Sequence, residues 1–458
     1  MHPVLAADKT GIPIHFVTTE TFATTALDPV AAAFAKAQGF EGASGSHLLV
    51  PDSSGKLAGV LFGLEKSSIP SKDLFLVGKL APLLPEGIYK FDSDLENPEL
   101  ATLGFVLGSY RFERYKSKPR GIKARLCVPD GVDASRITRI AEAIAEGRDL
   151  INTPANDLGP AEIEAAVRTV ATRYGAQCSS IIGDDLITHN FPMIHAVGRA
   201  SPRAPRIIDL VWGDPSHPKV TLVGKGVAFD TGGLNIKPDS SMLLMKKDMG
   251  GAAVALAAAR MVMDSGLKVR LRLIVAAVEN SISGPSFRPG DILASRNGMT
   301  VEIGNTDAEG RLILGDALTL AGEDNPDLVL DFATLTGAAR VAVGPDLPPF
   351  YTDDETLAAD ISRIGTAVND PVWRLPLWKP YAAMLESKIA DVNHISSGPF
   401  AGSITAALFL QKFAEKAKAW AHFDVFCWVP SAKSGRPEGG DPQTARMVYA
   451  LLEHRYGG

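Results

Sequence analysis

The chain has 458 residues, 46% of them hydrophobic, and carries a formal net charge of −6 at pH 7. This length favours a globular protein of about two or three domains, and the acidic balance argues against the basic surface of nucleic-acid binding proteins. The N-terminus has no signal-peptide pattern, and no apolar run is long enough for a bilayer. The three cysteines have neither disulfide nor metal spacing. We therefore expect a cytoplasmic protein without membrane or nucleic-acid partners.

The first part of the chain alternates short strand-like and helical runs. Strands are predicted at 47–50, 57–62 and 125–128. A helix is predicted over 134–152, because apolar residues recur on one face of it. We therefore expect a small N-terminal domain over residues 1–130, a connecting helix over 131–152, and a larger domain over 153–458.

The larger domain alternates helices with strands of the buried type. The strands are predicted at 207–212, 220–223, 271–278, 328–332 and 421–426. Such alternation is typical of an α/β sheet layered by helices.

Polar residues cluster after the strand at 220–223. Lys225, Asp230 and Lys237 lie among four glycines. Asp248 follows at the start of an alanine-rich helix predicted over 252–263, where a carboxylate meets unpaired backbone N–H groups. A simple helix cap is therefore the alternative reading of Asp248.

Residues 305–312 read Asn-Thr-Asp-Ala-Glu-Gly-Arg-Leu and place Asp307, Glu309 and Arg311 at intervals of two. They follow a predicted strand and precede a predicted helix, on the kind of loop where α/β proteins place their chemistry. Carboxylates are rarely buried unless they are paired or bind metal, although a solvated acidic turn is the alternative. Carboxylate-rich sites suit Mg²⁺, Mn²⁺ or Zn²⁺, and the chain has no His-Glu-x-x-His zinc motif.

These segments, in this order and with this spacing, resemble the M17 leucyl aminopeptidase family, also called cytosol aminopeptidases. Further agreement lies at residues 333–338, 373–377 and 405–410. The resemblance implies an α/β fold of two domains. These are a small macro-like N-terminal α/β domain and a larger catalytic domain with a mixed central sheet flanked by helices. It also implies a homohexamer.

The resemblance further assigns roles to residues. The residues that would hold two divalent ions per subunit, Mn²⁺ or Zn²⁺, are Lys225, Asp230, Asp248, Asp307 and Glu309. The catalytic pair would be Lys237, which stabilises the oxyanion, and Arg311, which holds a bicarbonate that handles the proton. The substrate-binding residues would be Met245, Thr334, Leu335 and Gly337.

The function implied is a metal-dependent aminopeptidase, which releases N-terminal amino acids from peptides with a free N-terminus by two-metal-activated attack of water. A Leu-like preference is expected from the family. The alternatives are a Cys-Gly or small-residue dipeptidase of the same family, or a DNA-binding regulatory member, which the acidic balance disfavours.

Two stretches depart from the family pattern. Bulky residues occupy 426–428, where we favour packing at a subunit contact over intrusion into the specificity pocket. The loop at 393–402 carries His394, for which a surface role and a substrate contact are both open. His422, on a predicted strand, is expected to be a packed core residue.

Overall fold

The computed structural model describes residues 1–92 and 95–457. The described chain forms two compact units, Met1–Ala145 with Ser431–Glu438, and Glu146–Pro430 with Gly439 onward. Among the helices of these residues, none combines the length and the apolar character that a membrane crossing requires.

The first unit is built on a six-stranded sheet in the order β1-β6-β5-β2-β4-β3. Its strands are β1 (Leu5–Ala6), β2 (Ile12–Val17), β3 (His47–Pro51), β4 (Leu57–Gly63), β5 (Gly87–Phe91) and β6 (Ala124–Cys127). Its helices are α1 (Pro29–Ala37), α2 (Pro98–Gly108) and the start of α3 (Ala134–Asn152), with 3-10 turns at Phe22–Thr24 and Leu76–Lys79. The helix predicted over 134–152 is thus confirmed, as are the strands predicted near 47–50, 57–62 and 125–128.

The residues at the start of helix α2 explain why a helix forms in this part of the first unit. Its first residue is Pro98, which fits the first helical position, and the Asn97 side chain accepts a hydrogen bond from the Leu100 amide at 2.9 Å. Residues 100–108 are all buried. A helix that is apolar on every side must lie inside the protein.

The second unit contains an eight-stranded mixed sheet in the order β15-β14-β17-β13-β9-β10-β8-β7. Its strands are β7 (Gln177–Ile182), β8 (Arg206–Trp212), β9 (Lys219–Asp230), β10 (Arg270–Asn280), β13 (Leu328–Ala333), β14 (Pro349–Tyr351), β15 (Trp373–Arg374) and β17 (Trp420–Asp424). Smaller sheets are formed by β11 (Ile292–Ala294), β12 (Thr300–Glu302) and β16 (Val392–Asn393), and by β18 (Trp428–Val429) and β19 (Gly439–Gly440).

Helices cover this sheet. They are α4 (Pro160–Tyr174), α5 (Asp185–Thr188), α6 (Pro192–Gly198), α7 (Asp239–Met242), α8 (Gly250–Ser265), α9 (Glu309–Gly322), α10 (Gly337–Val343), α11 (Glu355–Ala367), α12 (Gly402–Gln411) and α13 (Ala445–Tyr456). Three 3-10 turns lie at Met245–Met249, Thr306–Ala308 and Lys379–Leu385. The predicted mixed sheet flanked by helices is confirmed.

The four central strands β17, β13, β9 and β10 run parallel. Their carboxyl ends therefore meet at one edge of the sheet, which is where open α/β sheets bind ligands. The residues at these four ends are Asp424, Ala333, Asp230 and Asn280.

Strand β9 is longer than the sequence predicts, since it continues through the glycine-rich run to Asp230 rather than ending at Val223. Gly224 makes this possible because helix α8 packs directly onto the strand. A Cβ at Gly224 would lie 2.6 Å from the Cα of Ala252. Gly224 therefore serves close packing of helix on strand rather than a loop.

Candidate active site

Four carboxylates from three segments come together at the carboxyl edge of the central strands. Asp230 ends β9, Asp248 lies in the 3-10 turn before α8, Asp307 lies in the 3-10 turn before α9, and Glu309 is the first residue of α9. Oxygen atoms of Asp230, Asp307 and Glu309 lie within 4.8 Å of one another. Such a cluster of oxygen ligands is the arrangement that divalent cations bind.

Lys225 places its ammonium group inside this cluster. Its Nζ lies 2.8 Å from Asp248 Oδ2 and 2.9 Å from Glu309 Oε1, and donates to the Thr334 carbonyl oxygen at 2.9 Å. Gly310 is needed for this position, since a Cβ there would lie 2.7 Å from Lys225 Nζ. The Lys225 side chain thus packs directly against Gly310.

Lys237 supplies the second positive charge, from the loop that follows β9. Its Nζ lies 2.8 Å from Asp230 Oδ2 and also contacts Asp307 Oδ1. Each lysine ammonium therefore lies between two carboxylates, as a bound metal cation would.

Burial and mutual repulsion act strongly on the carboxylates. Burial, together with the charge of Asp230, raises the pKa of Glu309 to about 8 against the effect of Lys225. Burial and the charge of Asp248 likewise raise the pKa of Asp230 to about 6, against the effects of Lys237 and Lys225. For Lys225, burial favours the neutral amine, but the carboxylates outweigh it and raise its pKa. Four carboxylates with two ammonium groups leave this cluster short of positive charge. In the part of the chain that the structure describes, the buried Oε2 atom of Glu309 has no hydrogen-bond partner. The donor set therefore fits divalent cations.

Asn280, at the end of β10, contacts the carboxylate cluster, and the sequence does not reveal this. Its buried amide donates from Nδ2 to Asp230 Oδ1 at 2.8 Å and to the Thr306 carbonyl oxygen at 3.1 Å. The Gly232 amide donates to the same Asp230 oxygen at 2.8 Å. Asn280 thereby fixes the orientation of one candidate ligand, and its position at a strand end was the only available signal.

Asp424 was also missed as a site residue. It ends β17, and its carboxylate accepts hydrogen bonds from the backbone amides of Leu335 and Thr336, both at 3.1 Å, and from the Thr336 hydroxyl at 2.6 Å. It thereby shapes the loop that carries the candidate substrate residues Thr334 and Leu335.

Arg311 lies one turn into α9 and is buried. Its Nη1 donates to the carbonyl oxygen of His394 at 2.7 Å, while its buried Nε has no hydrogen-bond partner among residues 1–92 and 95–457. Burial lowers the pKa of Arg311 to about 10, against the opposing charges of Asp424 and Glu309. Even so, the guanidinium is charged at neutral pH and has a donor available for an anion.

Neither role considered for His394 is correct. The residue is fully buried, so it has no surface role and no access to substrate. Its Nε2 lies 2.9 Å from the Asn305 carbonyl oxygen, and its Nδ1 lies 3.2 Å from the Gly304 amide nitrogen. His394 instead ties its loop to the start of the octapeptide and presents a carbonyl oxygen to Arg311. His422 is a packed core residue as predicted, with its Nδ1 2.6 Å from Asp331 Oδ1.

A cavity of about 640 Å³ opens onto the cluster. Four of the five candidate metal ligands line it, as does Lys237, whereas Glu309 and Arg311 are not among its lining residues. All four candidate substrate residues also line it: Met245, Thr334, Leu335 and Gly337. The structure thus brings the predicted metal and substrate residues to one cavity.

The bulky stretch at 426–428 lies beside this cavity rather than away from it. Phe426 and Trp428 line the wall, while Cys427 between them is buried and has a positive φ of 56°. The strand predicted to reach Phe426 ends at Asp424. Its continuation turns because the Gln443 side chain accepts hydrogen bonds from the Phe426 and Cys427 amides. The position favours the pocket over the subunit contact that the sequence led us to prefer.

The carboxylate cluster and its cavity fit a metal-dependent hydrolase, and comparison with known proteins identifies the family of the chain. The model of the cytosol aminopeptidase family catalytic domain matches residues 146–452, and that of the M17 aminopeptidase N-terminal domain matches residues 12–129. The chain therefore belongs to the M17 cytosol aminopeptidase family and is a metallo-aminopeptidase.

Individual relatives agree with this assignment. A probable cytosol aminopeptidase of Syntrophotalea carbinolica is 39% identical over 367 residues, which is 76% of this chain and 73% of the relative. One from Wolinella succinogenes is 35% identical over 91% of this chain and 90% of its own. The crystal structure of cytosol aminopeptidase from Coxiella burnetii superposes with a TM-score of 0.93 at 45% identity, over 99% of both chains. The bottromycin maturation enzyme BotP in complex with Mn gives a TM-score of 0.87 at 30% identity, over 98% of this chain and 100% of BotP.

Proposed function

We propose that this aminopeptidase works with two divalent ions, held by Lys225, Asp230, Asp248, Asp307 and Glu309. The convergence of four carboxylates around only two ammonium groups carries this proposal. The Mn complex of the related BotP supports Mn²⁺ as an occupant, and Zn²⁺ suits the same ligands. When bound, two such ions supply a nucleophile at neutral pH and polarise the scissile carbonyl.

Lys225 is the most demanding ligand in this proposal. An amine binds a metal only when it is neutral, and keeping a lysine of ordinary pKa neutral at pH 7 costs about 4.6 kcal/mol. Burial favours the neutral amine, whereas the surrounding carboxylates favour the ammonium. Two bound dications would neutralise these carboxylates and repel the ammonium, which again favours the neutral amine. Repulsion between the dications and the ammonium therefore helps the metal bond to offset this cost.

Lys237 is the proposed oxyanion donor. Its side chain lines the cavity beside the cluster and is held by Asp230 and Asp307. Burial lowers the pKa of Lys237, but the charges of Asp230, Glu309 and Asp248 outweigh it and raise the pKa, so the ammonium remains charged at neutral pH. A charged donor aimed at the developing oxyanion is usually the largest single contribution to catalysis.

Arg311 is the proposed holder of a bicarbonate that handles the proton. Its unpartnered, buried Nε supports this role, because a buried guanidinium donor needs an acceptor. If the role is correct, bicarbonate should stimulate the wild-type enzyme, and Arg311→Met should lose both the stimulation and activity while retaining its metal.

The proposed substrates are peptides with a free N-terminus. A Leu-like first residue is expected from the family, and the cavity wall near Met245 is apolar enough to hold one. The position of Phe426 and Trp428 at the same cavity favours the alternative of small first residues, as in Cys-Gly, because bulky side chains reduce the room for the substrate. Size selectivity therefore depends on how far these two rings project.

A homohexamer is the proposed assembly. Several large apolar side chains of the second unit are exposed, which supports burial between subunits. They are Leu243, Val341, Trp373, Trp378 and Phe400. Light scattering coupled to size exclusion should give a mass of about six times 48.5 kDa. A monomer at micromolar concentration would overturn this part of the proposal.

The aminopeptidase reaction is tested with paired substrates. Leu-amide and Leu-Gly should be hydrolysed, while their N-acetylated forms should not, because the site needs a free amine. Cleavage of the blocked peptides at a comparable rate would overturn the proposed recognition of the N-terminus. A series of Gly, Ala, Met, Leu and Phe amides then gives the first-position preference.

A further inference from the structure

Lys247 is a buried cation at the cavity. The residue is only 4% exposed and it lines the cavity. Within residues 1–92 and 95–457, its Nζ forms no ion pair with a carboxylate inside 4.0 Å. Its neighbour Asp248 is already engaged, because Oδ1 accepts from the Thr334 hydroxyl at 2.7 Å and Oδ2 faces Lys225 at 2.8 Å.

The Phe426 ring is the group that contacts the Lys247 ammonium. Its centroid lies 5.0 Å from Nζ, within the range of a cation–π contact. Such a contact recovers only part of the hydration that a buried ammonium loses. A bound anion would recover the remainder.

Arg340 brings a second cation to the same ring. Its guanidinium carbon lies 4.8 Å from the Phe426 centroid, and it also lines the cavity. Its Nη2 lies 3.9 Å from where a Cβ of Gly337 would stand. In the described part of the chain, Arg340 likewise forms no ion pair with a carboxylate. Two cations without anionic partners therefore flank one aromatic side chain at the substrate cavity.

Both cations lie on the segments that carry candidate substrate residues. Lys247 follows Met245 by two residues, and Arg340 follows Gly337 by three. The methylene groups of a glutamate side chain would pack on the apolar residues, and its carboxylate would reach the cations. Selection of substrate charge by Lys247 and Arg340 is thus separate from the selection of side-chain size that is proposed for Trp428.

We propose that Lys247 and Arg340 form a carboxylate-binding subsite, so that the enzyme accepts substrates with a carboxylate close to the scissile bond. The first-position side chain of Glu or Asp is one source, and the C-terminal carboxylate of a dipeptide is the other. This inference rests on the proposed function, because the subsite acts only on peptides that occupy this cavity.

The test compares Glu-amide with Gln-amide, which have the same shape and differ in charge. In the wild-type enzyme, kcat/KM for Glu-amide should exceed that for Gln-amide. Lys247→Met keeps the length of the side chain but removes its charge, and should lower the Glu/Gln ratio by roughly 10- to 100-fold. Lys247→Arg should keep most of the ratio. Arg340→Gln, at an exposed position that tolerates change, should lower it by about two- to fivefold.

Lys246→Met is the matched control, since it removes the charge of the adjacent lysine. The Lys246 ammonium donates to the Asn152 carbonyl oxygen at 2.7 Å, and the residue is not among those lining the cavity. Its Glu/Gln ratio should stay within about threefold of wild type. Metal content and circular dichroism of each variant establish that it is folded.

A second pair, Leu-Gly and its C-terminal amide, distinguishes the two sources of the carboxylate. If Lys247→Met lowers the Leu-Gly preference and spares the Glu/Gln ratio, the subsite binds the C-terminal carboxylate. A wild-type Glu/Gln ratio below one, with both ratios unchanged in Lys247→Met and Arg340→Gln, would overturn the subsite. Failure to hydrolyse even Leu-amide would instead overturn the proposed function.

Discussion

The two ends of the cavity are built differently. At the metal end, Asp230 ends a central strand and Glu309 begins a helix, so regular structure fixes them. At the other end, Phe426 and Cys427 belong to the irregular link between β17 and β18, with a positive φ at Cys427, and Trp428 begins β18. The candidate metal ligands thus lie on regular elements or on 3-10 turns that lead into helices, while the wall at the other end includes an irregular link. This difference implies that changes at the metal end affect rate for every substrate, and changes at the other end affect only the ranking of substrates.

The largest effect is expected from Glu309→Gln. The substitution keeps the shape of the side chain and removes a charge that the cluster needs, so metal content and kcat/KM should fall together. We expect a loss of more than about 10³-fold for all amides, beyond the 10²- to 10³-fold that a single oxyanion donor contributes. Elemental analysis and initial rates on Leu-amide check this. A variant with full metal content and near-normal rate would remove Glu309 from the ligand set.

Lys237→Ala should come next and should separate catalysis from metal binding. We expect kcat to fall by about 10²- to 10³-fold, because the oxyanion loses a charged donor. Metal content should hold, since Lys237 is not a proposed ligand. Near-normal kcat would show that Lys237 serves only to neutralise Asp230 and Asp307 before metal binds.

Asn280→Ala should have a smaller effect at the same end. The amide fixes Asp230, and loss of such an outer partner typically costs about 10- to 100-fold in metal affinity or activity. Metal titration of the variant checks the affinity directly. Excess metal should restore most of the rate, whereas a loss of rate that saturating metal leaves unchanged would argue against this positioning role.

Much of the metal end could be predicted from sequence because its residues are neighbours in the chain. Asp307, Glu309 and Arg311 lie within one octapeptide, and Lys225 and Asp230 lie on one strand. Asn280 and His394 could not be predicted, because each acts through contacts with distant segments. The His394 carbonyl meets Arg311, 83 residues away along the chain. The placement of Phe426 and Trp428 at the cavity could not be predicted for the same reason, since a local sequence does not tell which way an irregular segment turns.

The smallest effect is expected at the specificity end, from Trp428→Gly. Removing the ring should raise kcat/KM for Leu-amide relative to Ala-amide by about tenfold, the lower end of the range for a change in pocket size. By comparison, kcat/KM for the amide that the enzyme prefers should change little, and so should the metal content. An unchanged ranking across the amides would place Trp428 outside the substrate pocket and return its role to packing.

The central claim is that two divalent ions in the carboxylate cluster are required for aminopeptidase activity. Its most direct test is to remove metal by chelation, verify the loss by elemental analysis, and add Mn²⁺ or Zn²⁺ back while measuring Leu-amide hydrolysis. We predict no activity in the metal-free protein and recovery that is complete at two ions per chain. Full activity in a verified metal-free preparation would contradict the claim, and complete recovery at one ion per chain would contradict the two-ion site.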